Sequence, residues 1–385
     1  MRTRFLSAVS CAAVLLAQRP PVEDAWDLLS KGERAQAIRL LDEIIKANPR
    51  DADARLLLGS VLAEQGERSE SIAQLSEGVR LRPQSAEAHN ALGEAFNTFH
   101  DLRAAQGEFD KAVALDPGFA QAQVNLGLVL VDSGAFAAAA AHLDRAIAIL
   151  GHAPDAAHPL YLRAKVYTEQ NEVEKAAAQL QQAVSLRPDF AEAWSDLGQA
   201  RKTLLDDVGA LTAFERAVEL SPDDAVAQYR LGAEYLRNAR LPAAIQHLRE
   251  ALRLDPENQS TLYSLQSALR EDGQLEEARQ LRMKLAELLR KKDKASENAL
   301  TAVQLNNQGA GLEKSGNLRG ALEKYRAALD LYPEHVGIRV NVAAALLRLG
   351  QWSQGISELR EALRRDPGNA VVKEALAHAL KASNR

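Results

Sequence analysis

Apolar side chains recur along this chain at a helical period, and the helical stretches come in pairs. Between residues 86 and 119, Leu92, Gly93 and Phe96 mark one face of a first helix. Ala105, Phe109 and Ala112 then mark a second at i, i+4, i+7 spacing. A polar turn near His100-Asp101 separates the two, and Asp116-Pro117-Gly118 closes the unit where proline cannot continue a helix. The prolines set the period. Pro49, Pro83 and Pro117 lie 34 residues apart, as do Pro154, Pro188, Pro222 and Pro256, and Pro333 and Pro367. From Pro117 to Pro154 the spacing is 37, a three-residue insertion, and from Pro256 to Pro333 it is 77, two periods plus nine.

The spacing divides the chain into units at 18–51, 52–85, 86–119, 120–156, 157–190, 191–224, 225–258, 259–292, 302–335 and 336–369, followed by a lone helix, 370–385. Leu-Gly recurs in the first helices as Leu58-Gly59, Leu92-Gly93, Leu126-Gly127, Leu197-Gly198 and Leu231-Gly232. In the second helices the recurring set is Ala139/Leu143/Ala146, Ala176/Leu180/Ala183, Ala210/Phe214/Ala217, Ala244/Leu248/Ala251 and Ala321/Tyr325/Ala328. A small residue at the eighth position lets the two helices approach closely, alanines at the twentieth and twenty-seventh admit the next helix, and large apolar residues fill the gaps. This pattern resembles the tetratricopeptide repeat (TPR). The resemblance covers nearly all of the chain beyond Ala17. It implies an all-α fold, a right-handed α-solenoid of stacked helix–turn–helix repeats, with the first helices on a concave, peptide-binding face.

Two units depart from the pattern. Pro20 and Pro21 occupy the early first helix of 18–51, which shortens that helix to about Val22–Ser30. The unit 259–292 has Leu285 in place of the small residue at its twenty-seventh position and Arg290 in place of the closing proline. The charged run Lys291 to Glu297 follows, with Ser296 placed as a helix N-cap. The expected organisation is therefore eight repeats over 18–292, a charged connection over 293–301 that either hinges or simply lengthens a helix pair, two repeats over 302–369, and a capping helix.

Composition narrows the function. Ala and Leu number 70 and 58 of 385 residues, and aromatics only 18, which suits an elongated helical array better than one large core. The net charge of −5 provides no basic excess for a nucleic-acid backbone. A single cysteine, Cys11, excludes intrachain disulfides and cysteine-based metal sites. His152, Asp155 and His158 at the three-residue insertion have metal-donor chemistry, but the plainer reading is a helix-terminus loop with exposed histidines, so neither metal nor cofactor is expected. No phosphate-binding loop, dinucleotide fingerprint or nucleophile elbow occurs, and the segments outside the repeats are too short for a catalytic domain.

Met1-Arg2-Thr3-Arg4 followed by Phe5–Ala17, thirteen residues without a charge, has the layout of a secretory signal peptide. It is shorter than the roughly 20 apolar residues of a membrane span. The expectation is a periplasmic or secreted chain with no integral span in its mature form.

In the family, the second, fifth, sixth, ninth and twelfth positions of each repeat face the groove. The fifth position carries Tyr161, Tyr229 and Tyr263, which would be aromatic anchors. The sixth carries Asn125, Asn307 and Asn341, alongside Asp196 and Arg230, and Lys165 stands at a ninth. Asparagine at that sixth position resembles the TPR arrays of O-GlcNAc transferases, where such amides bind an extended peptide backbone; an amide both donates and accepts. Here the ladder is broken at Leu57, Ala91, Leu162, Asp196, Arg230 and Ser264. No fifth position carries lysine, so the carboxylate clamp of chaperone-binding TPR domains is not expected. The expected function is a non-catalytic protein-interaction scaffold that takes a protein or peptide segment in its groove and acts in cell-envelope complex assembly. The alternatives are a recognition subunit acting in trans with a transferase or polysaccharide-secretion machine, and a cytoplasmic adaptor.

Overall fold

A computed structural model describes residues 21–383. The expected signal peptide, 1–17, lies outside the described residues. The chain divides into two compact units, one running to Leu254 and one from Asp255 onward. Among the described residues there are twenty α-helices and one short 3₁₀ turn.

The first unit starts with α1 (Pro21–Ser30), α2 (Arg34–Ala47), α3 (Ala52–Glu64), α4 (Arg68–Leu81), α5 (Ala86–Thr98) and α6 (Leu102–Leu115). It continues with α7 (Ala120–Asp132), α8 (Phe136–Leu150), α9 (Ala157–Glu169), α10 (Val173–Leu186) and α11 (Ala191–Thr203). It ends with α12 (Asp207–Leu220), α13 (Ala225–Arg237) and α14 (Leu241–Leu254). Each odd-numbered helix packs on the even-numbered helix after it, and each pair on the next: an α-solenoid.

Side-chain size at two positions sets the hairpin geometry. A Cβ added to Gly198 would come within 2.6 Å of the Phe214 ring, and one added to Gly93 within 2.6 Å of Phe109. Gly59 against Leu75, Gly127 against Leu143 and Gly232 against Leu248 repeat the arrangement. Glycine at the eighth position thus seats the large residue at the twenty-fourth, and these five large residues are at most 1% exposed. Several first helices begin where a polar residue after the proline turn caps them: Asp51 accepts from the Ala54 N–H at 3.0 Å and Ser85 from the Ala88 N–H at 3.1 Å.

The residue at the fifteenth position of every full repeat is left-handed, because it ends one helix and reverses the chain into the next. Glycine supplies this at Gly66 and Gly134, whereas Leu205 (φ 61°) and Ala239 (φ 55°) carry it against the side-chain clash with the following carbonyl. Leu205 gains nothing from packing, being 83% exposed. Leu205→Gly is therefore expected to stabilise the protein by about 1 kcal/mol, read as a raised midpoint in urea melts. An unchanged or lowered midpoint would mean that the side chain contributes more than its backbone costs.

The second unit comprises α15 (Gln259–Glu271), α16 (Leu275–Lys314), α17 (Leu318–Leu331), α18 (Val336–Arg348), α19 (Trp352–Arg365) and α20 (Ala370–Ser383). Here the structure corrects the sequence reading. There is no connection over 293–301 and Ser296 is not an N-cap: a single helix of 40 residues runs from Leu275 to Lys314. The stretch from Gln274 to Gln308 contains neither Gly nor Pro and is rich in Leu, Lys, Glu and Ala, so nothing in it stops a helix once the closing proline is missing. An i,i+4 pair, Lys291 to Glu287 at 2.8 Å, runs through the charged part. The expected pairing resumes afterwards, with Gly309 seated on Tyr325, which is 1% exposed.

Candidate functional site

The first helices present the face expected to bind. Clefts on it in the first unit are lined by the second, fifth, sixth, ninth, twelfth and thirteenth positions of successive repeats. A polar motif ties these helices together. Asn125 on α7 donates to the Asn90 side-chain Oδ1 on α5 at 2.9 Å, 35 residues back. Arg230 on α13 donates to the Ser195 hydroxyl at 2.7 Å and to Asp196 at 2.9 Å, both on α11. In the second unit Asn341 on α18 donates to Asn306 on α16 at 2.8 Å. The sixth position of one repeat thus bonds back to the fifth of the repeat before it.

That geometry changes the role of the asparagines. The second amide hydrogen of Asn125 goes to Glu94 at 2.8 Å, and its oxygen accepts from Gln121 at 2.9 Å. Its donors are fully used within the chain, so it positions helices and has no N–H left for a peptide carbonyl. Asn341 is likewise a tie, and its partner is Asn306, not Asn307. Asn307 itself is exposed and makes no part of the ladder.

The central repeats bring four of the expected residues together. Tyr161 on α9 is half-buried and packs on Phe190 with ring centroids 5.0 Å apart. Its hydroxyl is pushed well above the usual phenol range, first by burial, then by the charge and hydrogen bond of Asp196. Asp196 in turn accepts from Arg230. Asp196 and Arg230 are thus paired across α11 and α13, and the charge of Asp196 reaches Tyr161 on the preceding first helix, α9. Lys165, one turn on from Tyr161, is exposed with its ammonium 5.9 Å from the Tyr161 ring. A cleft of about 230 Å³ lies among Lys165, Asp196, Gln199 and Arg230. A second, of about 580 Å³, is bordered by His158, Tyr161, Arg187 and Phe190. Of the other two tyrosines, Tyr229 is half-buried on α13, and in the second unit Tyr263, on α15, is 65% exposed.

His158 is not the exposed loop residue that the sequence suggested. It is half-buried at the start of α9, 6.4 Å from the Phe190 ring, and burial holds its pKa below the ordinary imidazole value. The insertion itself is spent on a glycine turn at Gly151 (φ 61°) and the 3₁₀ turn Pro154–Ala156.

Sequence reasoning missed two features. The fourth position of the first helix repeatedly donates to the carbonyl of the preceding proline: Arg55 to Pro49 at 2.8 Å, Trp194 to Pro188 at 2.9 Å, Gln228 to Pro222 at 2.8 Å and Arg339 to Pro333 at 2.8 Å. Each donor lies six residues after its proline, a spacing visible in the sequence, but the donor varies in type. The second is a groove over the first repeats, formed by Val22, Trp26, Leu56 and Leu57. It continues past Ala91 to Glu64, Glu94 and Thr98.

A stack of close-packed helix hairpins with an open first-helix face defines a helical-repeat interaction protein. Tetratricopeptide-repeat profiles match residues 23–86, 98–157 and 209–259, and another residues 312–379; a further TPR-repeat profile matches 164–204. The chain belongs to the tetratricopeptide-repeat family. Among curated proteins it is 26% identical over 188 residues to a CTR9 homolog of Arabidopsis thaliana, covering 47% of this chain and 17% of that protein. It is 40% identical over 65 residues to the heat-shock protein cognate co-chaperone sgt12 of Aspergillus fumigatus, covering 16% of this chain and 19% of that protein. The chain thus spans under a fifth of the length of these two relatives. Among solved structures, Pseudomonas aeruginosa pilF superposes with a TM-score of 0.52 at 19% identity, over 58% of this chain and 100% of its own. That likeness is one of fold. No helix among the described residues is long and apolar enough to cross a membrane.

Proposed function

We propose that this protein is a non-catalytic scaffold that holds an extended or helical segment of a partner protein along the first-helix face of α7 to α13, and that it does so outside the cytoplasm, in the assembly of a cell-envelope complex. The observation that carries the binding site is the Asp196–Arg230 pair beside Tyr161, whose ring packs on Phe190. It places an aromatic ring and charges of both signs on three successive helices, beside two clefts. Fixed side chains lose little entropy on binding, which is the economy of a pre-organised groove. Lys165 and the exposed edge of Tyr161 offer the partner an anion site and an anchor. The location rests on the signal-peptide layout of Met1 to Ala17.

The test is capture by the tagged full-length chain from separate envelope and cytosolic fractions of its native cells. The protein with Tyr161→Ala and Arg230→Ala is the comparison. An anchor residue at an interface centre is worth on the order of 2 kcal/mol, about thirtyfold in affinity. The double variant is expected to lose its envelope partners with helical content unchanged. Capture that survives the double variant defeats the site, and capture confined to the cytosolic fraction defeats the location.

A further inference from the structure

We infer that the groove over the first three repeats takes a basic, apolar segment of a partner protein: a stretch in which leucine- or phenylalanine-like residues alternate with lysine or arginine. The inference rests on the scaffold reading above and adds to it the chemistry of one end of the bound segment.

The floor of this groove is apolar. Trp26 on α1 is 59% exposed, large for an indole in a folded chain, and it stands beside Val22, Leu56 and Leu57. Around that floor stand five carboxylates: Glu23, Asp53 and Glu87 on one stretch, Glu64 and Glu94 on the next. Neither stretch is lined by a lysine or arginine. Two of the acids are partly neutralised from outside, Asp53 by Arg82 at 2.5 Å and Glu64 by Arg34 at 3.0 Å. Glu87 and Glu94 accept from neutral groups. Glu87 takes the Ser85 hydroxyl at 2.7 Å, and that bond holds its pKa below the usual carboxylate range, so it is ionised at neutral pH. Glu94 takes the amides of Asn90 at 3.0 Å and Asn125 at 2.8 Å. An exposed indole surrounded by carboxylates selects a segment that buries apolar side chains and brings its own cations. The central clefts are mixed in charge, because Lys165, Arg187 and Arg230 border them together with Glu169, Asp189, Glu192 and Asp196. The face therefore gives a bound segment a direction, with its basic end over α1 to α5.

Trp26 is also the reporter. In the full chain carrying Trp194→Phe and Trp352→Phe, it is the one remaining indole. The probe is a short synthetic peptide alternating leucine, phenylalanine and lysine, set against its counterpart with glutamate for lysine. The lysine peptide is expected to shift Trp26 emission to the blue, saturably, with affinity falling as salt rises. Glu87→Gln with Glu94→Gln, which keeps both hydrogen-bond acceptors, should weaken it on the order of tenfold, the worth of two exposed ion pairs. Equal binding of the glutamate peptide, or Trp26 emission that neither peptide moves, overturns the inference. The outcome separates from that of the scaffold reading. If Glu87→Gln with Glu94→Gln leaves the affinity for the lysine peptide unchanged while Tyr161→Ala with Arg230→Ala still abolishes native capture, the charge assignment alone is lost.

Discussion

Deleting residues 191–224 is expected to leave a folded, cooperatively melting protein, whereas deleting 191–207 alone is expected to unfold the first unit. The whole deletion removes α11 and α12 and joins Phe190 to Ala225. Both ends keep their repeat phase: Phe190, the residue before α11, becomes the residue before α13, and α10 meets a first helix with the same small-residue pattern. The shorter deletion removes α11 and leaves α12 with no first helix to pack on. Its inward face carries Ala210, Ala213, Phe214 and Ala217, all at 0–1% exposure. Returning those side chains to water costs on the order of 5 kcal/mol, a large share of a domain's stability. Urea melts followed by circular dichroism, with size-exclusion chromatography, should give a compact monomer for the first protein and an aggregating, weakly helical one for the second. Equal losses from both deletions would mean that stability is not built repeat by repeat.

The parts of the fold that sequence made legible are those in which one residue type has one mechanical job. Glycine at the eighth position and a large residue at the twenty-fourth can be read because only glycine admits the Phe109 or Phe214 ring at 2.6 Å. The proline period can be read because proline stops a helix wherever it falls. The break at 291–301 was misread for the complementary reason: a charged run resembles a linker, but charge does not end a helix, and Lys, Glu and Ala favour one. Which positions line the clefts of the first-helix face was legible through repeat position alone. What each side chain does there was not, because that depends on its neighbour one repeat away. Asn125 and Asn341 carry the right chemistry for a peptide backbone, yet Asn90 and Asn306 already hold them. Tyr161 is set beside Asp196 and Arg230, 35 and 69 residues on, a relation that repeat arithmetic could have suggested but that no single motif encodes.

The polar ties also bear on how such an array keeps its groove in shape. The proline-carbonyl tie fixes α3, α7, α11, α13 and α18 each to the turn before it, and the fifth-to-sixth tie fixes α7, α13 and α18 each to the neighbouring first helix. At two sites a histidine extends the first tie: His142 reaches Gln123 at 2.7 Å and His247 reaches Gln228 at 2.8 Å, with burial holding both imidazoles below their ordinary pKa. Both are therefore neutral partners in the folded state, and acidification through the imidazole range works against them.

Glu297→Pro separates a continuous α16 from a connection capped at Ser296, because the two predict opposite signs. If Ser296 capped a new helix, position 297 would be its first residue, where proline's missing N–H and fixed φ are welcome. Inside an unbroken helix the same proline removes an i→i−4 hydrogen bond and drives its ring into the carbonyl four residues earlier, at a cost of about 3 kcal/mol. Residue 297 lies near the middle of α16, where residues 289–297 are exposed, so no tertiary contact confuses the reading. The expected result is a lowered melting midpoint for the second unit and new tryptic cleavage at Lys291 to Lys294, where the helix has opened. Ser296→Ala supplies the matching control. Losing a cap costs about 1 kcal/mol, whereas serine to alanine inside a helix gains about 0.5 kcal/mol. A protein destabilised by proline at 297 and slightly stabilised by alanine at 296 has one helix from Leu275 to Lys314. The reverse pair of signs would restore the connection and divide the second unit at that point.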